Sequence, residues 1–168
     1  MKFAATSGAA GHVFAPALID VLEITGADAH HLARVRRLQP GEAVTVADGT
    51  GAWRSYEVVT ARAELLELAR AGPLEQEPPL GPRLVVAFAI TKGSKPEVAV
   101  RQLTELGVDR ISPSFSNRSV PRWDDRRAAH AGERFRRVAR EAAVQCHRAR
   151  LPVVGAPVDL ASLAGRPD

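Results

Sequence analysis

The sequence predicts an α/β chain, α+β overall, in which a small β barrel or sheet is followed by the first part of an open parallel sheet. Residues 43–48 and 52–61 alternate apolar and polar side chains with a period of two, around a turn at Gly49 to Gly51. After residue 82, the apolar run RLVVAFAIT precedes a helical pattern and a second apolar run. This order predicts a β-α-β unit whose first strand is buried on both faces.

Three segments follow from this change of pattern. Residues 1–70 are predicted to form the β domain, and residues 71–82, with four prolines and two glycines, a semi-rigid linker. Residues 83–168 supply two strands and two helices. A covered parallel sheet needs more strands than that, so this domain is expected to be incomplete.

The β domain is predicted to contain one basic helix. Asp28 is the expected N-cap, Leu32 and Val35 form its apolar edge, and residues 39–41 end it. Its other side carries His30, His31, Arg34, Arg36 and Arg37. The later segment AELLELAR is consistent with a strand or a short helix.

Two helices are predicted in the second domain. The first begins with a capping box of Ser94 and Glu97 and ends at Gly107. The second covers residues 133–152 and has an apolar stripe that includes Phe135 and the lone Cys146. A second stripe at helical spacing holds Arg134, Arg137, Glu141, Gln145 and Arg148. Such a face is typical of a solvated surface with internal ion pairs, or of a site for phosphate or a base edge.

The charge distribution favours a polyanion as the partner. The net charge is +4, and 20 of the 23 basic residues are arginine. Residues 110–150 alone carry a net charge of +7. This asymmetry favours nucleic acid, although a biased genome would also enrich arginine. No apolar run has membrane-spanning length, no signal-peptide pattern is present, and a single cysteine is simplest in a reducing, cytoplasmic setting.

The sequence offers little for metal or hydrolase chemistry. His30 and His31 point apart on a helix, and no Walker motif or nucleophile elbow is present, so no metal site is predicted. Sites in parallel sheets form beyond the carboxyl ends of strands. Arg118 and Ser119 follow such an end and could share a crevice with the polar stripe of the last helix. An ion pair or helix-capping role for Arg118 is equally consistent with the sequence.

Several of these residues resemble motifs of the small-subunit ribosomal RNA uracil-N3 methyltransferases. The motifs are His30-His31-Leu32-x-x-Val35-x-Arg37, Pro40-Gly41-Glu42, Asp48-Gly49-x-Gly51, Lys92-Gly93, Thr104-Glu105-Leu106-Gly107-Val108, Arg118-Ser119 and Glu141-Ala142-Ala143-x-Gln145-x-x-Arg148-x-x-x-Pro152. The resemblance implies a PUA-like RNA-binding β-barrel at 1–70 and part of a SPOUT α/β-knot domain at 83–168. It also implies a homodimer that uses S-adenosylmethionine to methylate uracil N3 in 16S ribosomal RNA.

Two departures from the family pattern matter. Asn117 stands where the family usually has Glu, and the Gly-Pro-Glu-Gly-Gly loop of the cofactor site is not found. Cofactor-binding residues are therefore expected beyond residue 168, and the 168-residue chain alone is expected to be inactive. The alternative is a non-catalytic RNA-binding fragment. A structural protein with arginines from genome bias would bind RNA only nonspecifically.

The resemblance also gives roles to individual residues. Arg118 and Arg148 would stabilise negative charge on the uracil oxygens. Gln145 would contact the base edge, and Glu141 would orient the arginines or help to remove the N3 proton. The residues expected to bind RNA are His31, Arg34, Arg37, Ser119, Arg122, Arg134 and Arg137.

Overall fold

A computed structural model describes residues 8–116 and 123–163 of the chain. The described residues fall into two compact units. The first consists of the residues up to Pro78 together with Val144–Arg150. The second consists of the described residues of Pro79–Ala143 and those from Leu151 onward. A short stretch late in the sequence thus belongs to the first unit.

The first unit is built on one six-stranded sheet. Its strands are β1 (Gly11–Phe14), β2 (Val21–Thr25), β3 (Ala43–Ala47), β4 (Ala52–Arg62), β5 (Leu65–Arg70) and β6 (Glu75–Gln76). Their order is β1-β3-β4-β5-β2, with β6 paired to β4. Strand β1 runs parallel to β3, whereas the other neighbours are antiparallel. Strand β6 lies within the segment that the sequence marks as a linker.

The hairpin prediction is confirmed. Strands β3 and β4 pair from Ala43 opposite Glu57 to Ala47 opposite Trp53. The carboxylate of Asp48 closes the turn, since it accepts hydrogen bonds from the backbone N–H of Thr50 at 2.7 Å and from the Thr50 hydroxyl at 2.7 Å. The ambiguous segment AELLELAR contributes the strand β5.

Alternation along the strands produces the main core. One face of the sheet buries an apolar cluster that includes Val44, Tyr56 and Leu66. Helix α1 (Gly26–His30) and a π-helical turn (His31–Val35) cover it with Ala29 and Leu32. The predicted helix start at Asp28 is wrong because α1 begins at Gly26, after Thr25. Val35 is not part of the apolar edge either, since it is 64% exposed.

The second unit contains a four-stranded parallel sheet and two helices. The elements are β7 (Val85–Ala89), α2 (Lys95–Glu105), β8 (Arg110–Phe115), α3 (Asp125–Gln145), β9 (Val153–Val154) and β10 (Val158–Asp159), followed by a 3₁₀ turn (Leu160–Ser162). The strand order is β10-β8-β7, with β9 also paired to β8. Because β7 and β8 are parallel and flank α2, the predicted β-α-β unit and the α/β class are confirmed.

Two predictions of detail in this unit are wrong. Strand β7 is not buried on both faces. Val85, Ala87 and Ala89 are exposed, whereas Val86 and Phe88 pack against the core. The capping box does not form. Ser94 makes no side-chain cap hydrogen bond, and Glu97 instead pairs with Arg134 at 2.7 Å.

Helix α3 also differs from the prediction at both ends. It spans Asp125–Gln145 instead of residues 133–152. His147, two residues past the end, has a φ of 54°, in the left-handed region that cannot continue a right-handed helix. Arg148 therefore lies outside the helix, and the predicted stripe stops at Gln145. Cys146 likewise lies beyond the helix and is only half-buried.

Candidate nucleic-acid interface

The first unit presents a basic surface on α1 and the π-helical turn. Arg34, Arg36 and Arg37 are exposed there, and His31 is half-buried. Arg37 has a φ of 57°, and its carbonyl accepts a hydrogen bond from the Gln39 side chain at 2.9 Å. Short π-helical insertions are frequent at functional sites because they redirect side chains. This surface therefore brings together three arginines and a histidine.

Beside this surface, the outer face of β1 and β3 carries a buried histidine. His12 is only 2% exposed. Its Nδ1 lies 2.8 Å from the hydroxyl of Thr45, and its Nε2 lies 3.1 Å from the carbonyl oxygen of Arg148. A carbonyl only accepts hydrogen bonds, so Nε2 carries the proton and donates. His12 thereby fixes the backbone that follows α3.

Residues 149 and 150 are held on the same face. Ala149 is fully buried in a small cluster with Ala47 and Trp53. Its backbone N–H donates to the carboxylate of Glu77 at 2.9 Å. The guanidinium of Arg150 donates twice to the Glu77 carbonyl, at 3.1 and 2.8 Å. Residues 147–150 thus form part of the first unit, and we call them the docked segment.

His147 is the most unusual residue of the docked segment. Its ring stacks on His12 with a centroid separation of 5.4 Å and an interplanar angle of 27°. Burial, with a smaller contribution from the charge of Arg36, lowers the pKa of His147 below 6.5. Its Nδ1 is buried and has no hydrogen-bond partner among the described residues. Arg36 is itself anchored, because its guanidinium donates to the Ala10 carbonyl at 2.8 Å.

The second unit has a basic region of its own, at the first turns of α3. An open hollow of about 780 Å³ lies there. Its lining consists mainly of charged side chains together with Trp123, whose ring packs edge-on against Phe115 at 5.6 Å. The lining side chains that can carry a charge are those of Asp124, Arg126, Arg127, His130, Glu133 and Arg134. An open, charged hollow beside an aromatic ring suits a phosphate chain better than an apolar ligand.

The predicted site residues occupy different environments. Arg118, Ser119 and Arg122 lie outside the described residues. Glu141 and Gln145 are exposed on α3, as are Arg134 and Arg137. Arg148, by contrast, is 2% exposed and lies in the docked segment beside His12.

The site residues predicted from the sequence did not include His12, Glu77 or His147. The contact between His12 and Arg148 joins residues 136 positions apart, so no local pattern announces it. Within the described ranges, no group of three histidine, cysteine or acidic residues could hold a metal ion. In the same part of the chain, no helix has both the length and the apolar character required to cross a bilayer.

The fold is a small sheet domain followed by an α/β domain with a parallel sheet, and both units carry exposed arginines. A family model described as an RNA methyltransferase domain matches residues 76–167, and one described as an RNA methyltransferase PUA domain matches residues 24–68. The chain belongs to this RNA methyltransferase family. The predicted class, a small PUA-like β domain followed by an α/β methyltransferase domain, is confirmed by these matches and by the fold of solved structures.

Known relatives agree with this assignment. The ribosomal RNA small subunit methyltransferase E of Mycobacterium bovis is 35% identical over 134 residues, which cover 80% of this chain and 51% of the relative. The protein of the same name from Synechocystis is 36% identical over 138 residues, covering 80% and 43%. The chain thus spans about half the length of the curated relatives it matches.

Solved structures show the same fold. A putative methyltransferase from Legionella pneumophila, in complex with S-adenosylmethionine, superposes with a TM-score of 0.81 at 22% identity, covering 94% of this chain and 66% of the other. A ribosomal RNA small subunit methyltransferase E from Neisseria gonorrhoeae, bound to S-adenosylmethionine, gives a TM-score of 0.80 at 21% identity with the same coverage.

Proposed function

We propose that this chain acts in the S-adenosylmethionine-dependent methylation of uracil N3 in 16S ribosomal RNA, in the cytoplasm and as part of a homodimer. The observation that carries the proposal is the family match over residues 76–167. The names of the relatives support ribosomal RNA of the small subunit as the substrate. The uracil N3 position and the homodimer rest on the motif resemblance.

The RNA-binding part of the proposal rests on two basic regions. In the first unit, Arg34 and Arg37 are exposed on the π-helical turn and past its end. In the second, Arg134 and Arg137 are exposed on α3, although Arg134 is paired with Glu97. Arginines in such positions neutralise phosphates and release counterions, so RNA affinity should fall steeply as the salt concentration rises.

The chemistry proposed for the remaining residues concerns charge and position. Loss of the N3 proton places negative charge on the uracil carbonyl oxygens, which arginine stabilises by forked hydrogen bonds. We assign this role to Arg118 and to Arg148; because Arg148 is only 2% exposed, its guanidinium has to become accessible when RNA binds. Gln145 and Glu141 are exposed on α3, so a base edge can reach Gln145, and Glu141 can orient a guanidinium or accept the proton.

The cofactor itself is assigned to no described residue. The hollow at the start of α3 does not fit an adenosyl group, since it is open and its walls are mainly charged. S-adenosylmethionine enters the proposal from the solved relatives that contain it. Its ligands are expected outside the residues described.

The test is methyl transfer to 16S ribosomal RNA by this chain. Ribosomal RNA from a strain lacking N3 methylation is incubated with the protein and S-adenosylmethionine, and 3-methyluridine is measured by mass spectrometry. Contrary to the sequence-based expectation that the 168-residue chain alone is inactive, methylation by this chain requires the modified nucleoside to form with the wild-type protein and to be lost in Arg118→Ala and Arg148→Ala. Arg136→Ala, an exposed arginine on α3 outside the proposed site, is the matched control and should retain transfer.

A second candidate function is RNA binding without catalysis, which the two basic regions favour by themselves. Absence of 3-methyluridine together with salt-dependent RNA binding would support this second function and refute methylation by the chain. Absence of RNA binding at any salt concentration would refute both functions.

A further inference from the structure

We propose that His147 is an additional RNA-contact residue, which donates a hydrogen bond from Nε2 to a phosphate or base-carbonyl oxygen of single-stranded RNA bound beside Arg36. This inference rests on the proposed function, because it assigns a further residue to the RNA surface of the first unit. It depends on the backbone, the stacking and the two ring nitrogens of His147.

The backbone conformation is the first observation. His147 and Arg37 are the two residues other than glycine with a positive φ among the described residues, at 54° and 57°. Glycine adopts this conformation without strain, whereas a histidine does so at a cost in stability. Strained residues persist where the surrounding structure holds them, and they concentrate at functional sites. Position 147 therefore carries a side chain although glycine would adopt this φ at a lower cost in stability.

The ring environment is the second observation. The ring stacks on His12, which is itself held by Thr45 and the Arg148 carbonyl, so the orientation of the His147 ring is fixed by a buried neighbour. Nδ1 is buried, and no residue in the ranges 8–116 and 123–163 forms a hydrogen bond with it. A buried N–H with no acceptor costs more than a buried lone pair, so the proton resides on Nε2. His147 therefore binds a ligand through Nε2, which donates the hydrogen bond.

The charge environment selects the class of ligand. Arg36 is exposed and close enough to disfavour a proton on the imidazole, and its guanidinium is anchored at Ala10. The lowered pKa of His147 keeps the ring neutral at neutral pH. A neutral donor beside a fixed guanidinium fits an oxygen of an anionic chain, as RNA provides.

The test compares stability and RNA affinity in the same variants of the full chain. His147→Gly removes the ring and relieves the strained φ. It should unfold at an equal or higher urea concentration and bind a labelled oligouridylate about two- to tenfold more weakly, the loss of one neutral hydrogen bond. The slope of log affinity against log salt should not change. His147→Asn, which tolerates a positive φ and supplies an amide donor, should recover part of the affinity.

Arg37→Gly is the matched control, since it relieves the same type of strain but removes a cation. Its salt slope should become shallower by about 0.7. Unchanged RNA affinity in His147→Gly would overturn the inference. A parallel loss of stability and affinity, unrepaired by asparagine, would also overturn it, because the role would then be structural. If the wild-type chain binds no RNA, the proposed RNA function fails as well.

Discussion

Replacement of Gly51 by alanine should destabilise the first unit more than a comparable replacement elsewhere in it. Gly51 has a φ of 109°, and a Cβ placed there would lie 2.7 Å from Cζ and Nη2 of Arg150. The guanidinium would have to move away from the Glu77 carbonyl, to which it donates two hydrogen bonds. The strained φ should cost about 1–3 kcal/mol. The lost charged hydrogen bonds should add about 1.5–3 kcal/mol.

Gly41 provides the matched control for the backbone effect. Its φ is 90°, and a Cβ there would meet no atom within 4 Å. Gly41→Ala should therefore cost only the strain, about 1–3 kcal/mol. The difference between the two variants isolates the displacement of Arg150. In an Arg150→Ala background, this difference should disappear, and a double-mutant cycle measures it directly.

Urea unfolding followed by Trp53 fluorescence is the appropriate assay. Trp53 is 7% exposed and lies in the cluster that contains Ala149, so its emission reports on the docked segment. The chain has two tryptophans, and Trp123→Phe would leave Trp53 as the sole reporter. A change in the midpoint at constant m-value gives the change in stability. Equal destabilisation by Gly51→Ala and Gly41→Ala would refute the proposed restraint on Arg150.

Three further predictions can be tested with the same protein. His12→Ala should lower the free energy of unfolding by about 2–4 kcal/mol, because it removes a buried side chain and two hydrogen bonds. Thr45→Ala should lower it by about 1 kcal/mol, and the urea midpoints of both variants test these values. Arg137→Ala should weaken RNA binding and make the salt slope shallower by about 0.7, as measured by fluorescence anisotropy. The pKa of His147 is lower in the folded state than in the unfolded state, so the unfolded state binds the proton more readily. The stability that the neutral His147 ring contributes is therefore present above pH 6.5 and is lost as the pH falls. His147→Asn should remove that part of the acid sensitivity, and an unaltered pH profile of the midpoint would contradict this.

Local signals in the sequence were sufficient for much of the fold. The hairpin at Asp48 forms because its side chain satisfies the turn's backbone N–H groups. The β-α-β unit follows from two apolar runs around an amphipathic helix, and Gly107, with a φ of 91°, ends that helix as predicted. These features depend on residues close together in the chain, so periodicity and turn chemistry reveal them.

The sequence-based predictions are wrong where contacts between residues far apart in the chain determine the structure. Helical spacing continues through Arg148, but the helix ends at Gln145, and the Arg148 carbonyl instead binds His12 of β1, 136 positions earlier. Glu97 has the right spacing for a capping box, yet it pairs with Arg134 on another helix. For the same reason the sequence could nominate Arg148 but could not show that it is buried.

The docked segment has a consequence for the order in which the chain can fold. The strands of the first unit are synthesised early, but Ala149, which packs beside Trp53 and Ala47, is synthesised much later. Closing a loop of this length carries an entropic cost, and non-local contacts slow folding. Until Ala149 has been synthesised, the outer face of β1 and β3 stays accessible to solvent, to chaperones and to other nascent chains. Completion of the first unit therefore waits for most of the second to be made.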